Sequence, residues 1–257
     1  MIAVADAPSA RVQVLGCPVD ALDMPATVAR CVEVVERGDW TQHMAVNVAK
    51  LVSLRRDERM REIVAGSGLI SADGQGVVWG ARLLGVRLPG RVAGIDLMDE
   101  LLGEAARRGW RVFILGARRD VLDRAIQALE ERHPGLIVAG SHDGYFSGEE
   151  EPAVCAEIRE SRADVLFVAM STPRKELFLA EHGRDLGVAL GMGVGGAIDV
   201  VAGVTSRAPE AWQRAGMEWL YRLLQEPRRM FRRYATTNAR FALMLAAGLV
   251  RRSTGRR

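Results

Sequence analysis

The sequence contains no run of about 18–20 apolar residues, so no segment of it is expected to span a bilayer. Cysteine is scarce: Cys17, Cys31 and Cys155 are odd in number and scattered. With no signal-peptide pattern at the start, that usage points to a reducing cytoplasm. The four histidines, His43, His133, His142 and His182, lack the paired spacing of a metal site. Asp-x-Asp does not occur, so the usual acidic clamp for a magnesium-bound nucleotide diphosphate is missing. Neither a metal nor a cofactor is expected. There is no P-loop pattern, no internal repeat and no low-complexity segment. The glycine-rich ADGQG and GMGVGG stretches fail the dinucleotide test, because neither gives GxGxxG between a first strand and a helix with an acid about 20 residues on. Lysine is nearly absent too: against 33 arginines stand only Lys50 and Lys175. That bias reflects genome composition, so a single arginine says little by itself.

What is present describes an ordinary α/β protein. The 257 residues are 49% hydrophobic and 26% charged, enough for one large domain, or one domain with an appendage, around a sizeable core. Net charge is only +3 but lopsided: residues 222–257 hold ten arginines against one acid, Glu226. A tail of that kind seeks phosphate.

The patterning divides near residue 203. Residues 1–10 read as a loose start and RVQVLGCPVD as one short strand. MPATVARCVEVVERGD reads as a helix, and QHMAVNVAKLVSLRRD as a strand ending near Asn47 that runs into another. Further on, GLISAD, WRVFILG, LIVAGSH, ADVLFVAM and VALGMG are short apolar strands alternating with amphipathic helices. Such alternation predicts a parallel sheet covered on both faces. After residue 204, RAPEAWQRAGMEWLYRLLQEP predicts one helix that Pro227 ends or kinks, followed by a basic, apolar helical tail. Residues 1–203 are therefore expected to form the catalytic or binding domain, and residues 204–257 an arginine-rich helical appendage.

Ligands of open parallel sheets bind beyond the carboxyl ends of the strands. Six stretches fall there: Asn47, ADGQG with Asp73 and Gln75, GAR from Gly116, SHDGYF with Asp143 and Tyr145, STPRKE with Lys175 and Glu176, and GVGGAID with Gly195, Gly196 and Asp199. Asp73 precedes a glycine, and Asp-Gly is a strong turn dipeptide, so a turn and a catalytic carboxylate are both open readings. Asp143 and Asp199 read as turns, and Asp96 as the N-cap of LMDELLGEAARR. Phosphate candidates are Arg91, Arg118, Arg119, Arg207, Lys175 and the cluster from Arg222 to Arg233. Lys175 escapes the arginine bias and stands in the first turn of a helix. A cation there opposes the helix dipole at ~0.3–1 kcal/mol, which favours a functional reading.

Taken in order, VNVAKLV, ADGQGVVWGARLLG, LPGRVAGIDLM, FILGA, HPGLIVAGSHDGYF, GVGGAIDVVAGVTSRAP and MEWLYRLLQEPRRMFRRY resemble the WecG/TagA/CpsF family of bacterial glycosyltransferases, from about residue 40 to about residue 234. The resemblance implies a Rossmann-like, mostly parallel sheet with a C-terminal appendage that closes on the site. It implies inverting, metal-independent transfer of a sugar from a nucleotide diphosphate, expected to be a UDP-sugar, to a polyprenyl-diphosphate-linked saccharide. Asp73 matches the family's proposed general base, Asn47 a sugar or acceptor contact, and Arg91 a phosphate or sugar contact. Arg207, Arg222, Arg229 and Arg232 match appendage arginines that would neutralise a diphosphate where no metal does so. Two departures stand out. Ala45 replaces a common threonine, and STPRKE replaces G-x-P-K-Q-E, so that Lys175 stands where the family has glutamine.

The twelve residues ARFALMLAAGLV (239–250) are too short to span a bilayer but suit its interface beside arginines. The alternative is that they pack on their own domain or on a second copy of the chain. The expected setting is thus the inner face of the cell membrane, with a nucleotide-sugar donor, a lipid-linked glycan acceptor and the membrane surface as partners. A non-catalytic nucleotide- or polyprenyl-diphosphate-binding adaptor is the rival reading. A nucleic-acid partner is not expected: Phe231, Tyr234 and Phe241 lie among arginines without an RNP-like or recognition-helix pattern.

Overall fold

The computed structural model describes residues 11–214, 216–225 and 227–253, with the backbone alone at residues 214, 222, 228–230, 232 and 233. The loose start at residues 1–10 lies outside the described residues. The chain opens as a hairpin, β1 (Arg11–Val14) and β2 (Cys17–Asp20), where the sequence predicts a single strand. Leu15 and Gly16, at φ of 55° and 82°, divide it. Two successive positive-φ residues match the twist of a tight antiparallel pair.

Six strands then build one parallel sheet: β3 (Thr41–Val46), β4 (Leu69–Ala72), β5 (Arg111–Gly116), β6 (Ile137–His142), β7 (Val165–Ala169) and β8 (Leu190–Gly193). Their order is β4-β3-β8-β7-β5-β6. The alternating pattern of the sequence is realised as the helices α1 (Met24–Arg37), α2 (Val48–Ser53), α3 (Glu58–Gly66), α4 (Gln75–Leu83), α5 (Gly94–Arg108), α6 (Arg119–Arg132), α7 (Glu151–Ser161), α8 (Arg174–His182) and α9 (Ala197–Val201). Local chemistry sets several starts: Asp23, Asn47 and Asp57 each accept a backbone N–H at the N-cap of α1, α2 and α3. Asp96 does not cap α5. It lies inside the first turn, and Ala93 is the N-cap residue.

Successive strand residues face opposite sides, and each side is covered by helices. Val112, Ile114, Val165 and Phe167 join Leu97, Leu101 and Leu122 of α5 and α6 in one buried cluster. Phe113, Leu115, Leu166 and Val168 join Val154, Ile158, Phe178 and Leu179 of α7 and α8 on the other. Met44, Val46 and Ile70 pack with α2, α3, α4 and the hairpin. Strands buried on both faces carry near-continuous apolar runs, which is why these segments were readable as parallel strands.

The appendage departs from its prediction. In place of one helix there are two, α10 (Glu210–Arg214) and α11 (Glu218–Gln225), with Gly216 between them at φ 71°. Left-handed backbone at a glycine ends a helix readily. Beyond them runs α12 (Pro227–Ser253); the residue before Pro227, where the sequence predicts an end or a kink, lies outside the described residues. One face of α12 packs on the sheet domain. Phe241 and Leu245 lie against Gly80 of α4, where a Cβ would come within 2.7 Å of Phe241, and Gly248 rests on Leu84. The opposite face leaves Leu243 and Val250 exposed.

Candidate active site

The carboxyl ends of the six strands line one edge, and two features stand on it. The first is a crevice between β5 and β7. The connection leaving β5 crosses to β6 on one side, whereas that leaving β7 crosses to β8 on the other, so the crevice is a topological switch point. It holds a cavity of about 430 Å³, lined by Ala117, Arg118, Arg124, Tyr145, Met170, Ser171, Arg174 and Asp199 among others. Its floor depends on Gly116, at φ 127°, where a Cβ would stand 2.5 Å from the Ala169 carbonyl carbon. Only glycine lets the two strand ends approach so closely. Arg174 is committed to shaping the rim: its guanidinium donates to the carbonyls of Gly144 and Phe146 at 2.7 and 2.8 Å and lies over the Phe146 ring. Asp143 Oδ1 accepts the Tyr145 N–H at 2.8 Å, the turn role expected of it, and holds the exposed Tyr145 at the mouth. Asp199 sits in the first turn of the short α9, not in a free turn.

The second feature is the Asp73 turn at the end of the edge strand β4. Asp73 N–H donates to the Val46 carbonyl at 2.8 Å, and Val92 N–H donates to the Ala72 carbonyl at 2.8 Å. The end of β3, the end of β4 and the segment carrying Arg91 therefore converge there. Gly74, at φ 100°, turns the chain into α4, and Gln75 is that helix's first residue. Asn47 stands next to this turn at the end of β3, where its side chain accepts the Lys50 N–H at 3.0 Å. The appendage descends on the same point: a Cβ at Gly216 would meet the Gln75 side chain at 2.7 Å and lie 3.4 Å from the Trp79 ring.

Ion pairs fasten that approach. Arg91 pairs with Glu218 of α11, and Arg207 pairs with Asp96 and lies 3.9 Å from Glu218. Both arginines expected to meet phosphate thus hold carboxylates in this arrangement, although Arg207 Nε is buried with no hydrogen-bond partner among the described residues. The side chains of Arg222, Arg229 and Arg232, also expected at the diphosphate, lie outside the described residues. Gly195 and Gly196 follow β8 and lead into α9.

Between the two features lies a cluster the sequence did not disclose. Glu176 is almost wholly buried, and its Oε1 takes Lys50 Nζ at 2.9 Å, Lys175 Nζ at 3.0 Å and the Thr172 hydroxyl at 3.1 Å. Burial opposes its ionisation, but the two ammonium groups outweigh that and lower its pKa. The available signal was the lysine count: both lysines of the chain are spent on this one carboxylate. Beneath it, His43 donates to or accepts from the Ser71 hydroxyl at 3.0 Å, and burial, aided by Lys50, lowers its pKa to about 3. Burial pushes the Cys17 and Cys31 thiols up to about 12, so neither is a nucleophile at neutral pH. Among the described residues no group of three or more His, Cys, Asp or Glu is placed to hold a metal ion, and no helix is long and apolar enough to cross a membrane.

The sequence matches the glycosyl transferase WecG/TagA/CpsF family over residues 12–255, nearly the whole chain. The chain belongs to that family, and with it to glycosyltransferases of polysaccharide synthesis.

Proposed function

We propose that this family member is an inverting, metal-independent glycosyltransferase that moves a sugar from a nucleotide diphosphate, a UDP-sugar, onto a polyprenyl-diphosphate-linked saccharide. The observation that carries the reading is the spacing along the strand edge. The crevice at β5 and β7 and the Asp73 turn on β4 are separated by β3 and β8. At ~4.8 Å per strand that is roughly 15 Å, a span that a diphosphate and one hexose ring fill when the nucleoside occupies the crevice.

The chemistry follows from that placement. Helices α4, α6 and α8 begin at this edge with no side chain capping them. Their N-terminal dipoles favour a diphosphate and stabilise the charge that develops as it leaves. Asp73 takes the proton of the acceptor hydroxyl. The hydroxyl oxygen bonds to the anomeric carbon from the face opposite the diphosphate, and the carbon–oxygen bond to the diphosphate breaks with its electron pair. The configuration inverts. The segment from Arg207 to Glu218 covers the reacting centre, and the arginines of residues 222–233 serve the lipid diphosphate.

The exposed face of α12, with Leu243 and Val250 flanked by Arg240 and Arg251, lies on the membrane surface, while its other face stays on α4. A panel of nucleotide sugars offered with a soluble polyprenyl-diphosphate-saccharide analogue tests the activity. Transfer with inversion is the expected result, and donor binding without transfer would move the reading to the adaptor. Flotation on vesicles with anionic lipid tests the tail: a Leu243→Glu, Val250→Glu variant should float less than the unchanged protein.

A further inference from the structure

We propose that the cavity at the far end of α4 and α12 binds the phosphate of an anionic phospholipid, held by Arg82, Arg87 and Arg252. The inference deepens the reading of α12 as a membrane-surface helix and rests on it. The cavity has a volume of about 610 Å³, and its lining joins the apolar Ala21, Val86, Leu88 and Pro89 to Arg82 and Arg87. Arg252 arrives from α12: a Cβ at Gly85, which also lines the cavity, would collide with its guanidinium group. Guanidinium groups from the last turn of α4, the loop beyond it and the last turn of α12 thus meet at one place. Arg11, Arg91 and Arg207 each hold a carboxylate. Among the described residues no carboxylate pairs with Arg82, Arg87 or Arg252, and all three are exposed. A guanidinium group presents paired N–H donors that match phosphate oxygens. The apolar lining favours a phosphate attached to carbon over a bare inorganic ion.

Position supplies the rest. α12 runs along α4 in the same direction: Phe241 and Leu245 meet Gly80, Gly248 meets Leu84, and Arg252 meets Gly85. Since α4 begins beside Asp73 and is nine residues long, the cavity stands roughly 14 Å from the catalytic edge. An interfacial helix sinks about 5–10 Å into the headgroup boundary and is itself about 10–12 Å across. Lipid phosphates then stand level with the flanks and the end of α12, where the cavity lies. Leu83 follows Arg82 on α4, and Leu249 precedes Arg252 on α12. Both leucines are exposed and offer apolar surface to the chains of a lipid whose head is in the cavity. A phosphate held there pins the far end of α12, and so fixes how the Asp73 edge sits relative to the membrane.

The test is flotation of the full-length protein on vesicles of phosphatidylcholine alone and of equal parts phosphatidylcholine and phosphatidylglycerol. An Arg82→Gln, Arg87→Gln variant is compared with an Arg107→Gln, Arg132→Gln control, which removes the same charge from α5 and α6. The unchanged protein should prefer the anionic vesicles. The cavity variant should lose about tenfold in partition onto them, while the control stays within about twofold. Arg252→Gln alone should shift partition in the same direction as the cavity variant. Equal losses in the cavity variant and the control, or no loss in either, overturn the site and leave the membrane reading of α12 intact. An unchanged protein that floats equally on both vesicles also overturns the site. One that floats on neither overturns the membrane reading itself. A cavity variant that floats normally but changes the oligomeric state in lipid-free solution gives the cavity to a second copy of the chain, against the proposal. Should Arg87→Gln not fold, an Arg82→Gln, Arg252→Gln variant takes its place, with the same readings.

Discussion

Lys50 and Glu176, brought together from opposite sides of the sequence, meet at 2.9 Å with both side chains buried. The pair ties α2, which follows the Asn47 end of β3, to the first turn of α8. Removing the carboxylate strands the buried Lys50 ammonium, so Glu176→Ala should cost about 3–5 kcal/mol, the usual penalty for breaking a buried pair. Because the folded pKa of Glu176 is lowered from 4.5, its contribution is complete above that value and is lost as pH falls through the lower, folded one. Urea denaturation at neutral pH and near pH 3 should show a smaller acid loss in Glu176→Gln than in the unchanged protein.

His43 predicts a second pH dependence over a different range. Its folded pKa is lowered from 6.5 to about 3, so between those values the unfolded chain binds the proton that the folded chain refuses. Stability is complete above 6.5 and falls with pH below it, by about 2 kcal/mol at pH 5 at ~1.36 kcal/mol per unit. His43→Gln should flatten the slope between pH 7 and pH 5, whatever its own effect on stability. An unchanged slope would show that His43 is not buried as a neutral ring.

Asp73→Asn should lower kcat by about 10²–10⁴-fold while leaving donor affinity within a few-fold, the signature of a lost general base. Full turnover of a lipid-linked acceptor by this variant would remove Asp73 from the mechanism.

Gly116→Ala places a Cβ 2.5 Å from the Ala169 carbonyl carbon on backbone at φ 127°. It should destabilise the protein by more than about 1 kcal/mol and weaken nucleotide binding more than it changes binding of a lipid-linked acceptor. Calorimetry with UDP beside a thermal melt separates the two effects.

Gly216→Leu forces the turn between α10 and α11 away from Gln75 and Trp79. Since that turn packs on the first turns of α4, two residues from Asp73, the proposed closing role predicts that kcat falls several-fold with little change in the melt of the sheet domain. A variant with unaltered turnover would show that the cover is dispensable.

The sheet was legible because all its strands but the half-buried edge strand β6 are largely buried and announce themselves as apolar runs, as in WRVFILG and ADVLFVAM. The strand-end stretches were legible for the same reason, since a parallel sheet sends them all to one edge. The hairpin was missed because Leu15 takes positive φ, a conformation no leucine advertises. The break at Gly216 was hidden inside a strong amphipathic pattern that runs through it. Glu176 was read as open to substrate, since a lone glutamate in a helix's first turn looks solvated. Its two lysine partners become visible as partners only once β3, β7 and α8 are folded together.

The place of β8 carries one more consequence. The Asp73 side of the edge is made from β3 and β4, and the crevice side from β5, β6 and β7, each a neighbouring stretch of chain. Among the described strands β8 alone bonds to both groups, through β3 and through β7. The strand hydrogen bonds that make these two groups one sheet therefore come late in the chain, at residues 190–193, and in the stretch before them it is α8, through Glu176 and Lys50, that joins one group to the other.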